Sequence, residues 1–279
     1  MYGFCEMMAA PVVAALILVG MHGYLGTHVV RRCVIFVDIA LAQMAAFGVA
    51  ISLLFGAEVG TGAAFWVGLG ATFVGAVLLS FTRSKIEKVP QEAYIGIVYV
   101  VFSAGMILVL SQVAHGGEEI HNLLVGAILW VSWGTVLKTT VIYGGLAVLL
   151  YWWHKPFQRV SADPKAAQRE GLSLPLWDFL FYMVLGTVVT ISVQIAGVLM
   201  VFTILVVPAV MAIRLFMSAR SQMAYVLLVS TGAVVGGSAV SYVYDLPTGA
   251  TIVCAFGCLL ALQVVMERGF PLLRSAMFK

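Results

Sequence analysis

Long apolar runs are the feature that most constrains what this chain can fold into. Several of them reach 18 or more residues with few charges, which is the length that an α-helix needs to cross a bilayer. Of the 279 residues, 62% are hydrophobic and 10% are charged, whereas about a quarter of an ordinary soluble domain is charged. The runs therefore predict an all-α, polytopic membrane protein with a single transmembrane domain over residues 1–279.

Nine apolar segments are predicted to span the membrane, and the basic residues between them predict the orientation. The segments are 8–27, 34–55, 62–82, 94–114, 138–154, 174–192, 194–213, 223–243 and 248–267. If they alternate, every basic cluster falls on one side and only Lys138 falls on the other. This places the N-terminus outside and the C-terminus in the cytoplasm. The longest polar stretch, about 155–173, is expected to be a cytoplasmic loop.

The segment 117–134 is apolar enough to suggest a further span. If it spanned the membrane, the basic cluster at 155–169 would lie outside, against the preference of Lys and Arg for the cytoplasmic side. We therefore expect a non-spanning outer helix or a re-entrant piece, with Trp130 and Trp133 at the membrane interface.

No pattern for an enzyme is present. The sequence contains neither the P-loop pattern G-x-x-x-x-G-K-[ST] nor the zinc-protease pair H-E-x-x-H. Ser238 lies in "GGSAV" rather than in a G-x-S-x-G nucleophile elbow. We expect a transporter or a channel rather than an enzyme.

Asp38 is the clearest candidate for a site, because a carboxylate inside an apolar helix is costly and often functional. It is expected to face a translocation pathway or, alternatively, to form a structural hydrogen bond with a neighbouring helix. Gln43 follows five residues later, about 140° around an ideal helix. A pathway role and a hydrogen bond between helices are both open for Gln43.

Histidines and acids supply further candidates. His22 lies well inside the first apolar segment and could pair with Asp38 or bind a cation as neutral imidazole, or it could simply pack. An outer loop, "AHGGEEIHN", gathers imidazole and carboxylate groups, the donors that zinc and manganese accept. Metal attraction and a solvated helix start are both open for this outer cluster, which consists of His115, Glu118, Glu119 and His121.

Three stretches resemble one family. "VQIAGVLMVFTILVVPAVMAIRL" at 193–215 resembles its signature helix, and "DLPTGATIV" at 245–253 is similar to its D-L-P-S-G-A-T-I-V motif. "RRCVIFVDIALAQMAAFGVAIS", which begins at Arg31, resembles its second helix, usually G-D-x-x-x-H-A. On these motifs the chain resembles the membrane permease subunit of ABC importers for zinc, manganese or iron. The similarity covers essentially the whole chain.

The resemblance implies a fold and a set of partners. The fold is that of the vitamin B12-importer type, in which two permease copies line a central path. Two ATPase subunits drive transport, and a periplasmic or lipoprotein metal-binding protein delivers the ion. The expected location is the bacterial plasma (inner) membrane. No tightly bound cofactor and no nucleic acid partner are expected. The segment 212–222 resembles the helix that couples to the ATPase, and its candidate contacts are Arg214, Leu215, Phe216 and Arg220.

The gate of the family carries over only in part. Matching on Asp38 puts Ala42 at the position of the family's histidine, whereas matching on Gly48 puts Gln43 there. Either way the histidine is missing, and His22 could supply an imidazole from the adjacent helix.

The metal and the transport class are open at this level. Zinc, manganese and Fe(II) all fit, with the outer histidines leaning towards zinc. A stand-alone secondary transporter or channel using Asp38 as its ion site is the alternative. An intramembrane enzyme is disfavoured by the missing catalytic set.

Overall fold

The computed structural model describes residues 2–57, 61–82, 90–113, 126 and 128–269. Within these ranges every regular element is a helix. In chain order they are α1 (Tyr2–Arg31), α2 (Val37–Leu54), α3 (Gly62–Phe81), α4 (Gln91–Leu110), a short 3-10 turn (Ile128–Trp130), α5 (Trp133–Trp152), α6 (His154–Ala162), α7 (Pro164–Arg169), α8 (Leu174–Leu215), α9 (Ala219–Tyr244) and α10 (Thr248–Gly269).

Eight of the described helices are long and apolar enough to cross a membrane. One of them, α8, is 42 residues long, about twice the roughly 20 residues that one span needs. Gly197 interrupts it with φ 74° and ψ 161°, angles that no α-helix contains. Because α8 covers the two predicted spans 174–192 and 194–213, the prediction of about nine spans in an all-α protein is confirmed.

The stretch 155–173 is not the open loop that its polarity suggested. It contains α6 and α7. The few apolar side chains of α6 lie on one face of the helix, and that face is buried. Phe157 and Val160 are completely buried, whereas Arg159 on the same helix is exposed. Asp163 then caps α7, its carboxylate accepting a hydrogen bond from the amide of Ala166 at 3.0 Å.

The chain divides into two compact units. The first contains residues 1–30, 125–143 and 195–279, and the second contains residues 31–124 and 144–194. The prediction of a single transmembrane domain over residues 1–279 is not tested by this division and stays a prediction.

In the first unit, α1 packs closely on the last part of α8. A Cβ at Gly26 would collide with the carbonyl oxygen of Leu205. At the other end of α1, an added Cβ at Gly3 would lie 3.0 Å from the hydroxyl of Tyr242 on α9. Helix α10 packs against α9 and against the 3-10 turn.

In the second unit, α2 packs against both α3 and α4. The α2–α3 contact depends on small residues, since a Cβ at Gly48 would lie 2.8 Å from the carbonyl oxygen of Val67 and 2.9 Å from Gly68. Close approach through glycine is typical of helices packed in lipid. On the α4 side, Ala46, Ala50, Met106 and Leu110 form a buried cluster.

Candidate functional site

Asp38 lies in the first turn of α2, because that helix begins at Val37 rather than at the predicted residue 34. Residues 33–36 form a turn instead, with Cys33 at φ 55° and the amide of Ile35 donating to a carboxylate oxygen of Glu92 at 2.6 Å. Asp38 is 1% exposed. Its Oδ1 accepts no hydrogen bond from the part of the chain that the structure describes. This is a buried carboxylate oxygen with unused capacity for a cation.

Gln43 is also buried, at 3% exposure. Its Oε1 lacks a hydrogen-bond donor among the described residues. A carboxylate oxygen and an amide oxygen, five residues apart on α2, are thus both buried and both without a hydrogen-bond donor among the described residues. Oxygen atoms of these two kinds are ligands that suit manganese.

His22 is completely buried in α1. Its Nδ1 donates to the carbonyl oxygen of Leu18 at 2.9 Å, because a carbonyl oxygen can only accept. In the neutral ring, Nε2 then carries the lone pair. Tyr143 lies with its ring centroid 6.5 Å from the imidazole. His22 belongs to the first unit and Asp38 to the second, so the predicted pairing of the two stays a prediction.

The predicted outer cluster falls outside the described residues, since none of His115, Glu118, Glu119 and His121 is among them. The same holds for most of the segment 117–134, of which the structure describes the 3-10 turn and the residues that lead into α5. Within the described ranges no three His, Cys, Asp or Glu side chains come together as a metal-binding group.

We use "docking turn" for residues 212–222, the segment that resembles the ATPase-coupling helix. It is not a separate helix. It consists of the end of α8, three linking residues and the first residues of α9, where the Ser218 hydroxyl accepts a hydrogen bond from the amide of Ser221 at 3.1 Å.

The four predicted coupling residues differ in their surroundings within the docking turn. Arg214 pairs with Glu267 of α10 at 2.6 Å, and Phe216 packs on Tyr225 with ring centroids 5.4 Å apart. Leu215 is partly buried and Arg220 is exposed. The most exposed apolar side chain of the turn is Met217, at 84%, which the sequence had not singled out.

A second feature that the sequence did not reveal is the surroundings of Arg32. Arg32 lies between the predicted spans 8–27 and 34–55, among the basic residues used to predict the orientation. In the structure its guanidinium is buried and pairs with Asp178 at 2.6 Å. Its Nε donates to the Ser161 hydroxyl at 2.9 Å, and the ring centroid of Phe181 lies 4.1 Å away. Cation–π contact of this kind favours a desolvated arginine. No sequence spacing relates these residues, so only the fold brings them together.

The model of the ABC 3 transport family matches residues 4–267. The chain belongs to this family. The resemblance drawn from the three motifs is therefore confirmed, and with it the assignment to the permease subunits of metal ABC importers.

The names of individual relatives specify a metal. The chain is 31% identical over 236 residues to the manganese transport system membrane protein MntC of Listeria monocytogenes, covering 83% of this chain and 80% of that protein. It is 24% identical over 247 residues to the high-affinity zinc uptake system membrane protein ZnuB of Haemophilus influenzae, covering 86% of this chain and 90% of that protein.

The fold is shared with a solved structure. PsaBC from Streptococcus pneumoniae, in complex with a Fab, superposes with a TM-score of 0.78 at 19% sequence identity, covering 94% of each chain. This agreement confirms the predicted fold class, a polytopic all-α protein.

Proposed function

We propose that this chain is the transmembrane permease subunit of an ATP-driven importer of a divalent transition metal. The observation that carries the proposal is the buried Oδ1 of Asp38, which receives no hydrogen bond from the described residues. A charged group inside an apolar helix is costly, so one that occurs there commonly lines a pathway or pairs with a partner. A divalent cation passing α2 is the partner that this oxygen suits.

We propose manganese as the first metal to test and zinc as the second. The two buried oxygens on α2 come from a carboxylate and an amide, and such ligands suit manganese, whereas imidazole suits zinc. The similarity to a manganese permease of Listeria monocytogenes supports this order. The zinc permease of Haemophilus influenzae among the relatives keeps zinc as the alternative.

The proposal includes an assembly. Two copies of this chain form the path, a separate pair of ATPase subunits hydrolyses ATP, and a periplasmic or lipoprotein metal-binding protein delivers the ion. The docking turn is the surface offered to the ATPase, with Met217 and Arg220 exposed on it. The protein is placed in the bacterial inner membrane with the N-terminus outside, since this orientation leaves the basic clusters in the cytoplasm.

The test is metal-dependent ATPase activity and uptake by the reconstituted complex, with the binding protein loaded in turn with manganese, zinc or iron. We expect ATP-dependent uptake of manganese that Asp38→Asn lowers by at least about 10-fold. Asp163→Asn is the matched control, because it also removes one carboxylate but keeps an equivalent cap on α7.

Three results would contradict the proposal. No co-expressed ATPase copurifies with the chain, or uptake proceeds in liposomes without ATP, or Asp38→Asn transports as well as Asp163→Asn. Uptake without ATP would instead support the stand-alone secondary transporter or channel.

A further inference from the structure

A polar network at one end of α10 attaches that helix to the docking turn. The carboxylate of Glu267 accepts from Arg214 through one oxygen, with the Nη2 donor at 2.6 Å and the Nε donor at 3.2 Å. Its other oxygen accepts from Nε2 of Gln263 at 2.7 Å. Both oxygens of Glu267 are therefore engaged within the first unit.

Gln263 connects three helices by itself. Its Nε2 also donates to the carbonyl oxygen of Met211 on α8 at 3.2 Å. Its Oε1 accepts from the hydroxyl of Tyr225 on α9 at 2.9 Å. Gln263 is 8% exposed, so its own hydrogen bonds are largely shielded from competing solvent, whereas the Arg214–Glu267 pair is open to it. The last turns of α8, the first turns of α9 and the last turns of α10 are thus held together at one residue.

The linking residues of the docking turn are held by the same network. Gln222 of α9 donates from Nε2 to the carbonyl oxygen of Phe216 at 2.6 Å. The ring of Phe216 packs on Tyr225, the residue that donates to Gln263. Residues 217–221 are exposed, and among them Met217 is the large apolar side chain. The turn is therefore tied to α10 by the Arg214–Glu267 pair and to α9 by Gln222 and Tyr225.

We propose that Gln263 and Glu267 are positioning residues for coupling to the ATPase. They fix the docking turn on the end of α10, so that a displacement of the turn by the ATPase is transmitted to α10. The inference rests on the proposed function, because it assumes that the docking turn meets an ATPase. Neither residue needs to touch the ATPase or the metal.

The role is positioning rather than general stability. The Arg214 side chain is 50% exposed and that of Glu267 is 20% exposed, and ion pairs this open to solvent contribute little to fold stability. Breaking the pair should therefore leave the fold intact while loosening the turn. Arg159 and Glu170 provide a matched control, because they form an ion pair of similar length, 2.7 Å, that is also exposed but lies in the second unit.

The first experiment measures coupling in the reconstituted complex with its ATPase. We expect Glu267→Gln and Gln263→Leu to lower stimulation of ATP hydrolysis by the metal-loaded binding protein by about threefold to tenfold, in the range that coupling mutations reach. Copurification of the ATPase should stay at the level of Glu170→Gln for both variants, and so should the melting midpoint of Glu267→Gln. Gln263→Leu should lower the midpoint, because it leaves the buried partners of Gln263 without its hydrogen bonds, so Glu267→Gln is the variant that separates coupling from stability.

The second experiment needs no ATPase. A spin label is attached at Met217→Cys after Cys5, Cys33, Cys254 and Cys258 have been replaced by serine. We expect Glu267→Gln and Gln263→Leu to increase the mobility of the label, and Glu170→Gln to leave it unchanged.

Unchanged mobility and unchanged stimulation in the Glu267 and Gln263 variants would overturn the inference. So would a loss of stimulation in Glu267→Gln that follows a fall in the melting midpoint of that variant. If the wild-type chain binds no ATPase, the proposed function fails, and the mobility of the label still decides whether α10 holds the turn.

Discussion

Arg32 and Asp178 form a buried ion pair between residues 146 positions apart in the chain, with 2.6 Å between Nη1 and Oδ1. Their side chains are 2% and 1% exposed. The pair joins the α1–α2 turn to the first turns of α8, and the Ser161 hydroxyl adds α6 to the same corner. A pair so deeply buried is expected to be costly to break from either side.

Removing one partner of this pair should destabilise the protein strongly. We expect Asp178→Ala to cost about 3–5 kcal/mol, because it leaves the Arg32 guanidinium desolvated beside Phe157 and Phe181. The measurement is the midpoint of thermal unfolding in detergent. Glu170→Ala, which breaks the exposed pair with Arg159, is the control and should cost about 0–1 kcal/mol. Equal shifts for the two variants would show that the buried pair contributes no more than the exposed one.

Asp38→Asn should separate stability from transport. The substitution keeps the shape but removes a buried charge whose Oδ1 no described residue satisfies, so the unfolding midpoint should stay the same or rise. Metal uptake should fall by at least about 10–100-fold, the loss that even an outer-shell partner of a metal causes. A variant that is less stable and still transports would mean that Asp38 serves packing instead of the pathway.

His22 can be tested by exchanging its ring. We expect His22→Phe to retain the fold, since the hydrogen bond of the imidazole to Leu18 is local to α1 and a phenyl ring can keep the ring contact with Tyr143. If His22 supplies the imidazole that α2 lacks, His22→Phe should lower uptake as Asp38→Ala does. The readout is manganese and zinc uptake by the reconstituted complex. Normal uptake by His22→Ala, with none by Asp38→Ala, would rule out a ligand role for the histidine.

Gly197 is expected to tolerate no side chain. Its φ of 74° and ψ of 161° lie in a region that is essentially restricted to glycine. Gly197→Ala should cost about 1–3 kcal/mol through backbone strain, measured as a fall in the unfolding midpoint. Gly232→Ala is the control, since an added Cβ there meets nothing within 4 Å and α9 is regular at that point. That variant should be neutral or slightly stabilising, because alanine favours the helix.

Most of the architecture could be predicted from the sequence, and the physical reason is the bilayer. Backbone groups in lipid must bond within the segment, so an apolar run of about 20 residues has essentially one solution. The predicted span 62–82 is observed as Gly62–Phe81 and the predicted span 248–267 as Thr248–Gly269. The boundaries of α1 and α5 differ by several residues from the predicted spans, since α1 extends to Tyr2 and Arg31 and α5 begins at Trp133 and ends at Trp152.

Less of the candidate site could be predicted. The sequence identified Asp38 as an isolated carboxylate, and its burial follows from the cost of charge in an apolar helix. It could not show that Asp38 lies in the first turn of α2, because the turn at residues 33–36 depends on Glu92 of another helix. Helix α6 could not be predicted either, because residues 155–173 are mostly polar. Phe157 and Val160 form an apolar face only when the segment is helical.

The sequence by itself determined a polytopic helical membrane protein, its family and its isolated carboxylate, because hydropathy and motif order are properties of the linear chain. Only the tertiary structure decided which polar groups meet. Arg32 pairs with Asp178 in the second unit, and Gln263 forms hydrogen bonds with Met211 and Tyr225 in the first. A hydrogen bond requires a donor and an acceptor within about 3 Å. Residues 38 to 146 positions apart reach that distance only when the helices have packed.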